Sequence, residues 1–416
     1  MAFDYDVVIA GGGMVGASLA LALSRASEQA IKVLVVESFP LPPANSSRPV
    51  YRPSFDARST ALSLGSRTIL EQLQVWPALA EHVCAIDTIH VSEKGRLGSA
   101  LMKATEMAWP SLGYVVENAW LGSVLLAALR EQNTVDFCCP ASVKKINHQA
   151  QGVSISIDAD GELRQLSAQL VVIADGAQSS LRQQLGIEAS VDDYQQTALI
   201  ANVCFSKPHQ GIAFERFTGT GPMALLPLAD SDRGESRAAL VWTNDHDVAA
   251  QLCADDDAEF LQKLQQCFGH RLGQFTRVGE RASYPLMLIE AQEQFRSGVV
   301  VMGNAAHSLH PVAGQGFNLA LRDCARLAEL LAAAKKAGNS LGELSLLQNY
   351  VSLQADDQVK TIAFSDQLTR VFSLGAPMPL LRSLGLVTMD MSPQLKRSFV
   401  GRAAGMHDGA ATGVQL

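Results

Sequence analysis

Near the start of the chain, Gly11-Gly12-Gly13-Met14-Val15-Gly16 has the G-x-G-x-x-G spacing of a turn that holds a dinucleotide phosphate. Glycines let the chain turn tightly and bring its amides against a pyrophosphate. A helix opening there adds unpaired N–H groups and the positive end of its dipole. About 20 residues further on stands Glu37, the place from which a carboxylate accepts hydrogen bonds from ribose hydroxyls. Gly11, Gly13, Met14, Gly16 and Glu37 are therefore candidate nucleotide ligands. Taken alone, the pattern also fits a tight turn followed by a solvent-facing glutamate, and it does not separate one dinucleotide from another. Two later segments bear on that choice: Asp175-Gly176-Ala177-Gln178-Ser179-Ser180-Leu181-Arg182, and the run from Gly303-Asn304 through Pro311 and Gly314-Gln315-Gly316 to Phe317-Asn318.

These residues need elements to hold them. Residues 5–10 form an apolar, β-branched run, 14–25 have helical composition, and 31–36 read as a strand buried on both faces. Residues 41–53 carry four prolines and read as a loop. Residues 153–157 alternate like a half-exposed strand, with a turn at Asp160-Gly161, and 169–174 are a further buried strand leading into Asp175. From about 186 to 285 the apolar runs are scattered, as in a mostly antiparallel sheet. Residues 298–303 return to the buried-strand pattern. A helix then runs from about Gly316, with Phe317, Leu321, Cys324 and Leu331 on one stripe.

Taken in order and spacing, the three glycine-bearing motifs resemble those of the group A flavoprotein aromatic hydroxylases, which have the para-hydroxybenzoate hydroxylase-like fold. The resemblance covers nearly the whole chain. It implies an α/β fold: a Rossmann-like, GR2-type FAD-binding domain, an inserted and mostly antiparallel substrate lobe, and a C-terminal helical segment. The expected divisions are 1–185 for the first part of the FAD-binding domain, with lobe strands near 86–112, and 186–285 for the lobe. Residues 286–335 form the flavin-contacting part, 336–400 the helical segment and 401–416 a flexible tail. It also implies that Gly11, Gly13, Gly16 and Glu37 hold the ADP half of FAD, and that Asp175, Gly176 and Arg182 lie near the pyrophosphate and serve both FAD and NADPH. Asn304, Pro311, Gly314, Gly316, Phe317 and Asn318 would hold the ribitol and flavin. The helix beginning there would aim its positive end at flavin N1/O2, where charge develops on reduction.

Asp56-Ala57-Arg58 and the residues to Gly65-Ser66 resemble a segment of the ubiquinone-biosynthesis branch, placing Arg58 near the flavin; a surface pair with Asp56 is the plain alternative. Segments 213–217, 221–228 and 281–286 extend that likeness, which is sharpest to the 2-polyprenyl-6-methoxyphenol hydroxylases. Sister hydroxylases acting at other ring positions compete. Two departures stand out. Asn304 replaces the family's usual aspartate, and the hydrogen bond to the ribitol loses charge assistance at a cost of ~1 kcal/mol. Ala119 stands where the family often has arginine, putting a cofactor contact from residues 117–121 in doubt. By the resemblance, NAD(P)H reduces FAD, O₂ adds at C4a, and the hydroperoxide oxygenates a polyprenylated phenol. No second G-x-G-x-x-G is present, so the nicotinamide donor binds transiently. No triad or carboxylate pair is evident for catalysis, and His307 and His310 read as structural. Two other readings stay open: an FAD-dependent isoprenoid oxidoreductase that inserts no oxygen, and a redox-inactive FAD-binding scaffold.

Composition narrows the partners. With 41 acidic against 33 basic residues and a net charge of −8, no basic stripe favours nucleic acid. The start lacks the charged and apolar runs of a secretory signal, and no window offers 18 uninterrupted apolar residues. Seven cysteines, without a CxxC pair, suit free thiols in a reducing cytoplasm and no metal site. The expectation is a cytoplasmic protein. Residues 371–391, apolar but broken by glycines, prolines and charges, would form short helices for an access groove, a bilayer surface, partner biosynthetic enzymes or the chain's own core.

Overall fold

The computed structural model describes residues 3–27, 30–42, 58–96, 98–231, 233–309, 314–373, 388, 390 and 392–403. The central strands of its first sheet carry continuous buried apolar runs at 7–10, 33–36, 170–173 and 299–301. Tyr5–Ala10 lies between Glu162–Ile173 and Val33–Val36, parallel to both; Val299–Val301 and Val135–Cys138 extend the parallel set on either side. Continuous Val/Ile/Leu runs are what a strand covered on both faces requires. Val7, Ile9, Val33 and Val35 pack with the helices Met14–Ala26 and Gln315–Lys336, whereas Val8, Ala10, Leu34 and Val36 pack with the antiparallel strands Ala141–His148 and Val153–Ala159. The expected stripe of Phe317, Leu321, Cys324 and Leu331 is buried in the first of these clusters.

The second sheet has nine strands. Along it lie His307–Ser308, Ala282–Ala291, Ala189–Phe205, Ser236–Asn244, Pro222–Leu228, Ile212–Phe217, Thr88–Glu93 and Ser99–Lys103, with Phe275–Val278 beside Ala189–Phe205. All pairs are antiparallel except Ile212–Phe217 with Thr88–Glu93. Two helices that the sequence pattern did not announce, His246–Ala254 and Asp257–Phe268, cover one face through Leu252, Phe260, Leu264 and Phe268. The opposite face carries Ala198, Ile200, Ala213 and Ala224, which line a cavity together with Gly11 and Gly13.

Two boundaries differ from expectation for a local reason. Val299–Val301 is shorter than 298–303, because Gly303 takes φ +61° and turns the chain into a short 3-10 helix, Gly303–Ala305. The long helix begins at Gln315 and not Gly316, with Gly314 at φ +61° as its left-handed cap residue. A second long helix, Leu344–Ser373, packs against it. The tail beyond residue 403 lies outside the described residues, as does most of 371–391.

Candidate active site

Two glycines of the opening turn are explained by what a side chain would hit. Gly11 has φ +107°, and a Cβ there would overlap the carbonyl oxygen of Ala174; one on Gly16 would overlap the carbonyl oxygen of Gly11. Gly11 N–H donates to the Val36 carbonyl at 2.9 Å, fixing the turn to the second strand. Glu37 is buried at that strand's end. Its Oε2 accepts from Gly12 N–H at 2.6 Å, and its Oε1 from Phe39 N–H at 3.0 Å and Ser38 Oγ at 3.1 Å.

From this turn a cavity of about 930 Å³ runs to the start of the long helix and on under the nine-stranded sheet. That is near the upper end of the ~300–1,000 Å³ usual for small-molecule sites. Gly11, Gly13, Met14 and Glu37 line one end; Asp175 and Gly176 line its flank; Asn304, Gly314, Gly316, Phe317 and Asn318 line the middle, with Arg58 near by. The two glycine-bearing helix starts, more than 300 residues apart in sequence, thus open onto one space. Among the described residues Gly176 and Gly316 have no heavy atom within 4 Å of where a Cβ would stand, so their backbone faces the cavity. The Asn304 side chain is exposed to the same space. Asp175 opens onto it too; the surrounding wall raises its carboxyl above the usual value, partly offset by the Ser179 hydroxyl and the Leu181 N–H.

Three candidates have a tethering geometry. Gly16 sits beneath the turn. Arg182, 5% exposed, donates from Nη1 to the Ala305 carbonyl at 2.6 Å and ties the second motif to the third. Neither is among the described residues lining the cavity. Asn318 lines it, yet its amide is engaged within the protein: Oδ1 accepts from Ser63 N–H (2.9 Å) and Ser66 Oγ (2.6 Å), and Nδ2 donates to the carbonyls of Ala61 (2.8 Å) and Gly314 (2.7 Å). Pro311, His310 and Asp56 lie outside the described residues. Arg58 stacks over the Tyr284 ring at 4.9 Å. His307 pairs with Asp323 at 3.1 Å, both deeply buried, and Gln354 and Gln358 donate to the other Asp323 oxygen. Glu117, two residues before Ala119, pairs with Arg237 at 3.1 Å, while Asn118 lines the cavity and accepts from Thr60 Oγ1 at 2.7 Å.

Under the nine-stranded sheet the wall is apolar: Ala198, Ile200, Ala213, Phe217, Ala224 and Leu226 face inward, and Phe399 and Val400 of the helix Pro393–Ala403 close one side. Glu215 interrupts this face. Burial alone pushes its carboxyl up to about 7. The signal for it was present in the sequence, as a carboxylate alternating with Ala213 and Phe217 on the apolar side of a strand. The residues fit FAD: a carboxylate at one end, bare backbone at two helix starts, and an adjoining apolar chamber sized for a ring.

Comparison with known proteins agrees. Residues 4–355 match the FAD binding domain family. Ubiquinone hydroxylase UbiL of Rhodospirillum rubrum is 35% identical over 401 residues, covering 96% of this chain and 89% of that one. The 3-demethoxyubiquinol 3-hydroxylase of Escherichia coli is 30% identical over 404 residues, covering 96% and 98%. The crystal structure of p-nitrophenol 4-monooxygenase PnpA from Pseudomonas putida superposes with a TM-score of 0.78 at 20% identity, over 98% and 99% of the two chains, and so shares the fold. The chain belongs to the FAD-dependent aromatic monooxygenases, in the branch that contains the ubiquinone hydroxylases.

Proposed function

We propose that this protein hydroxylates the phenolic ring of a polyprenylated ubiquinone precursor, with NAD(P)H and O₂ as co-substrates. The observation that supports this most is the single cavity, glycine-lined at one end and roofed by an apolar sheet at the other. FAD, when bound, supplies the redox chemistry and the activation of oxygen. In this reading Gly11, Gly13, Met14 and Glu37 hold its adenosine half. Asp175, Gly176 and Asn304 lie along its phosphates and ribitol, and Gly314, Gly316 and Phe317 lie at its ring. Arg182, Gly16 and Asn318 position those segments. The helix Gln315–Lys336 turns its N-terminal amides to charge that appears on the ring. The apolar chamber keeps water from the reacting centre. A polyprenyl tail contributes ~0.8 kcal/mol for each CH₂ buried, so it dominates affinity and holds the substrate in or near a bilayer.

No described helix is long and apolar enough to cross a membrane. Contact with a membrane surface or with other biosynthetic enzymes through residues 371–391 is part of this proposal. Liposome flotation of the protein lacking 371–416 tests it; unchanged partitioning retires the membrane contact.

The reaction is tested with purified holoprotein, a short-chain prenylated phenol, NAD(P)H and ¹⁸O₂. One labelled oxygen in the product is the expected result. Oxidised product without label turns the assignment to a non-oxygenating oxidoreductase. A yellow protein that NAD(P)H never bleaches, even with phenol present, turns it to a scaffold. Quinone precursors accumulating in a deletion strain identify the ring position.

A further inference from the structure

Glu215 sits where the sheet offers it nothing. Across the strands its neighbours in register are Val91 on one side and Ala224 on the other, with Val241 and Ile200 continuing the row. It is the single carboxylate among the described residues that this sheet contributes to the cavity wall, and its side chain has no hydrogen bond or ion pair among the described residues. Its partial exposure is toward the cavity. The alanines beside it, Ala213 and Ala224, leave space in front of the carboxylate. Such a group costs stability unless something polar comes to it.

On the reading that the chamber takes a phenol, we infer that Glu215 is the base that receives the phenolic hydroxyl of the ring substrate. The phenol O–H bond breaks, its electron pair stays on the oxygen, and an O–H bond forms on the carboxylate. The phenolate so formed is more electron-rich at its ortho and para carbons, which is where an oxygen atom is to be accepted. On rearomatisation the ring C–H proton is released to solvent and the original oxygen takes its proton back from Glu215. The sum is phenol, O₂, NAD(P)H and one proton giving the dihydroxylated ring, water and NAD(P)⁺.

The surrounding titratable groups do not supplant it. Glu93 lies on the adjacent strand, and Arg58 and Tyr284 lie elsewhere on the cavity wall. Lys396, on the helix that closes the chamber, is engaged with Asp390 and Glu106. Arg216 and His90 leave by the opposite sheet face, to the Cys267 carbonyl and the Phe214 ring. With a carboxyl near 7, the gap to a phenol of pKa ~10 is narrower than for an ordinary glutamate, and proton transfer is correspondingly easier.

The experiment uses holoprotein of wild type, E215Q and E215D, with FAD content and unfolding midpoint as controls. Two quantities are read from pH 5.5 to 8.5: kcat/KM for a short-chain prenylated phenol, and the calorimetric Kd of that phenol and of its methyl ether. In wild type both kcat/KM and phenol affinity should rise as Glu215 ionises through about pH 7. E215Q should lower kcat/KM about 100-fold, flatten both profiles and abolish the preference for phenol over ether. E215D should restore about tenfold of the lost rate. A wild-type rate and pH profile in E215Q, or a phenol affinity in wild type that does not change with pH, overturns the inference. If wild type binds phenol in this pH-dependent way yet makes no hydroxylated product, the hydroxylase reading fails and the proton-accepting role stands.

Discussion

Asn318 shows how much one amide can hold in place. Both lone pairs of its oxygen and both N–H groups are engaged with the segment 61–66 and with Gly314, so the helix start and the strand beside it share one fastening. Asn318→Asp turns an oxygen toward two carbonyl oxygens and should destabilise the protein by about 2–4 kcal/mol, read as a lower denaturant midpoint at unchanged slope. Glu215 makes a different prediction. Its folded carboxyl, near 7, lies above the ordinary 4.5 that it regains on unfolding. The folded state therefore binds the proton more tightly, and the associated stability is complete below pH 4.5 and lost as pH rises through 7. Wild-type apoprotein should lose about 2–4 kcal/mol relative to E215Q across that window, measured by urea unfolding of both proteins at each pH. Neither role was equally visible beforehand. A carboxylate on an apolar alternation can be read from neighbours two residues away. The partners of Asn318 lie up to 257 residues off in sequence, where local spacing carries no information.

At the scale of elements, the glycines separate into those the fold needs and those it leaves bare. Gly11→Ala and Gly16→Ala each drive a methyl group into a carbonyl oxygen, so both should lower stability and FAD affinity together. Gly316→Ala meets nothing within 4 Å among the described residues. Its stability should stay within about 1 kcal/mol of wild type, the ordinary Gly-to-Ala range in a helix, while FAD dissociates more readily; equilibrium dialysis beside thermal unfolding distinguishes the two patterns. The opening strand, turn and helix were legible because glycine geometry and a continuous apolar run are local properties. Two features of the second sheet were not. The helix Asp257–Phe268 buries a narrow stripe, Phe260, Leu264 and Phe268, and His246–Ala254 buries Ala249 and Leu252, within a stretch whose apolar runs suggest strands. The parallel pairing of Ile212–Phe217 with Thr88–Glu93 joins segments more than 100 residues apart. The place of Arg182 was partly legible: its motif pointed toward the site, and its bond to the Ala305 carbonyl links two segments whose neighbours, Gly176 and Asn304, line the cavity.

At the scale of the molecule, the C-terminal helix Pro393–Ala403 closes the apolar chamber. Lys396, 7% exposed, pairs with Asp390 at 2.9 Å and with Glu106 at 3.7 Å, while Asp390 accepts from the Leu101 N–H of the edge strand. Removing residues 388–416 uncovers Phe399's side of the cavity and leaves the FAD end intact. The expected result is wild-type flavin content with KM for a prenylated phenol raised about tenfold or more, as the truncated wall returns several CH₂ groups of substrate to water. A tail-less phenol should show little change in the same assay.

The continuity of the cavity also sets a thermodynamic obligation. Among the described residues no wall divides the glycine-lined end from the chamber under the sheet, so an isoalloxazine held at Gly316 would form the floor on which an aromatic guest rests. Each occupant then improves the site for the other, and linkage makes the two improvements equal. Whatever factor bound FAD adds to the affinity for a phenol, saturating phenol must add to the retention of FAD.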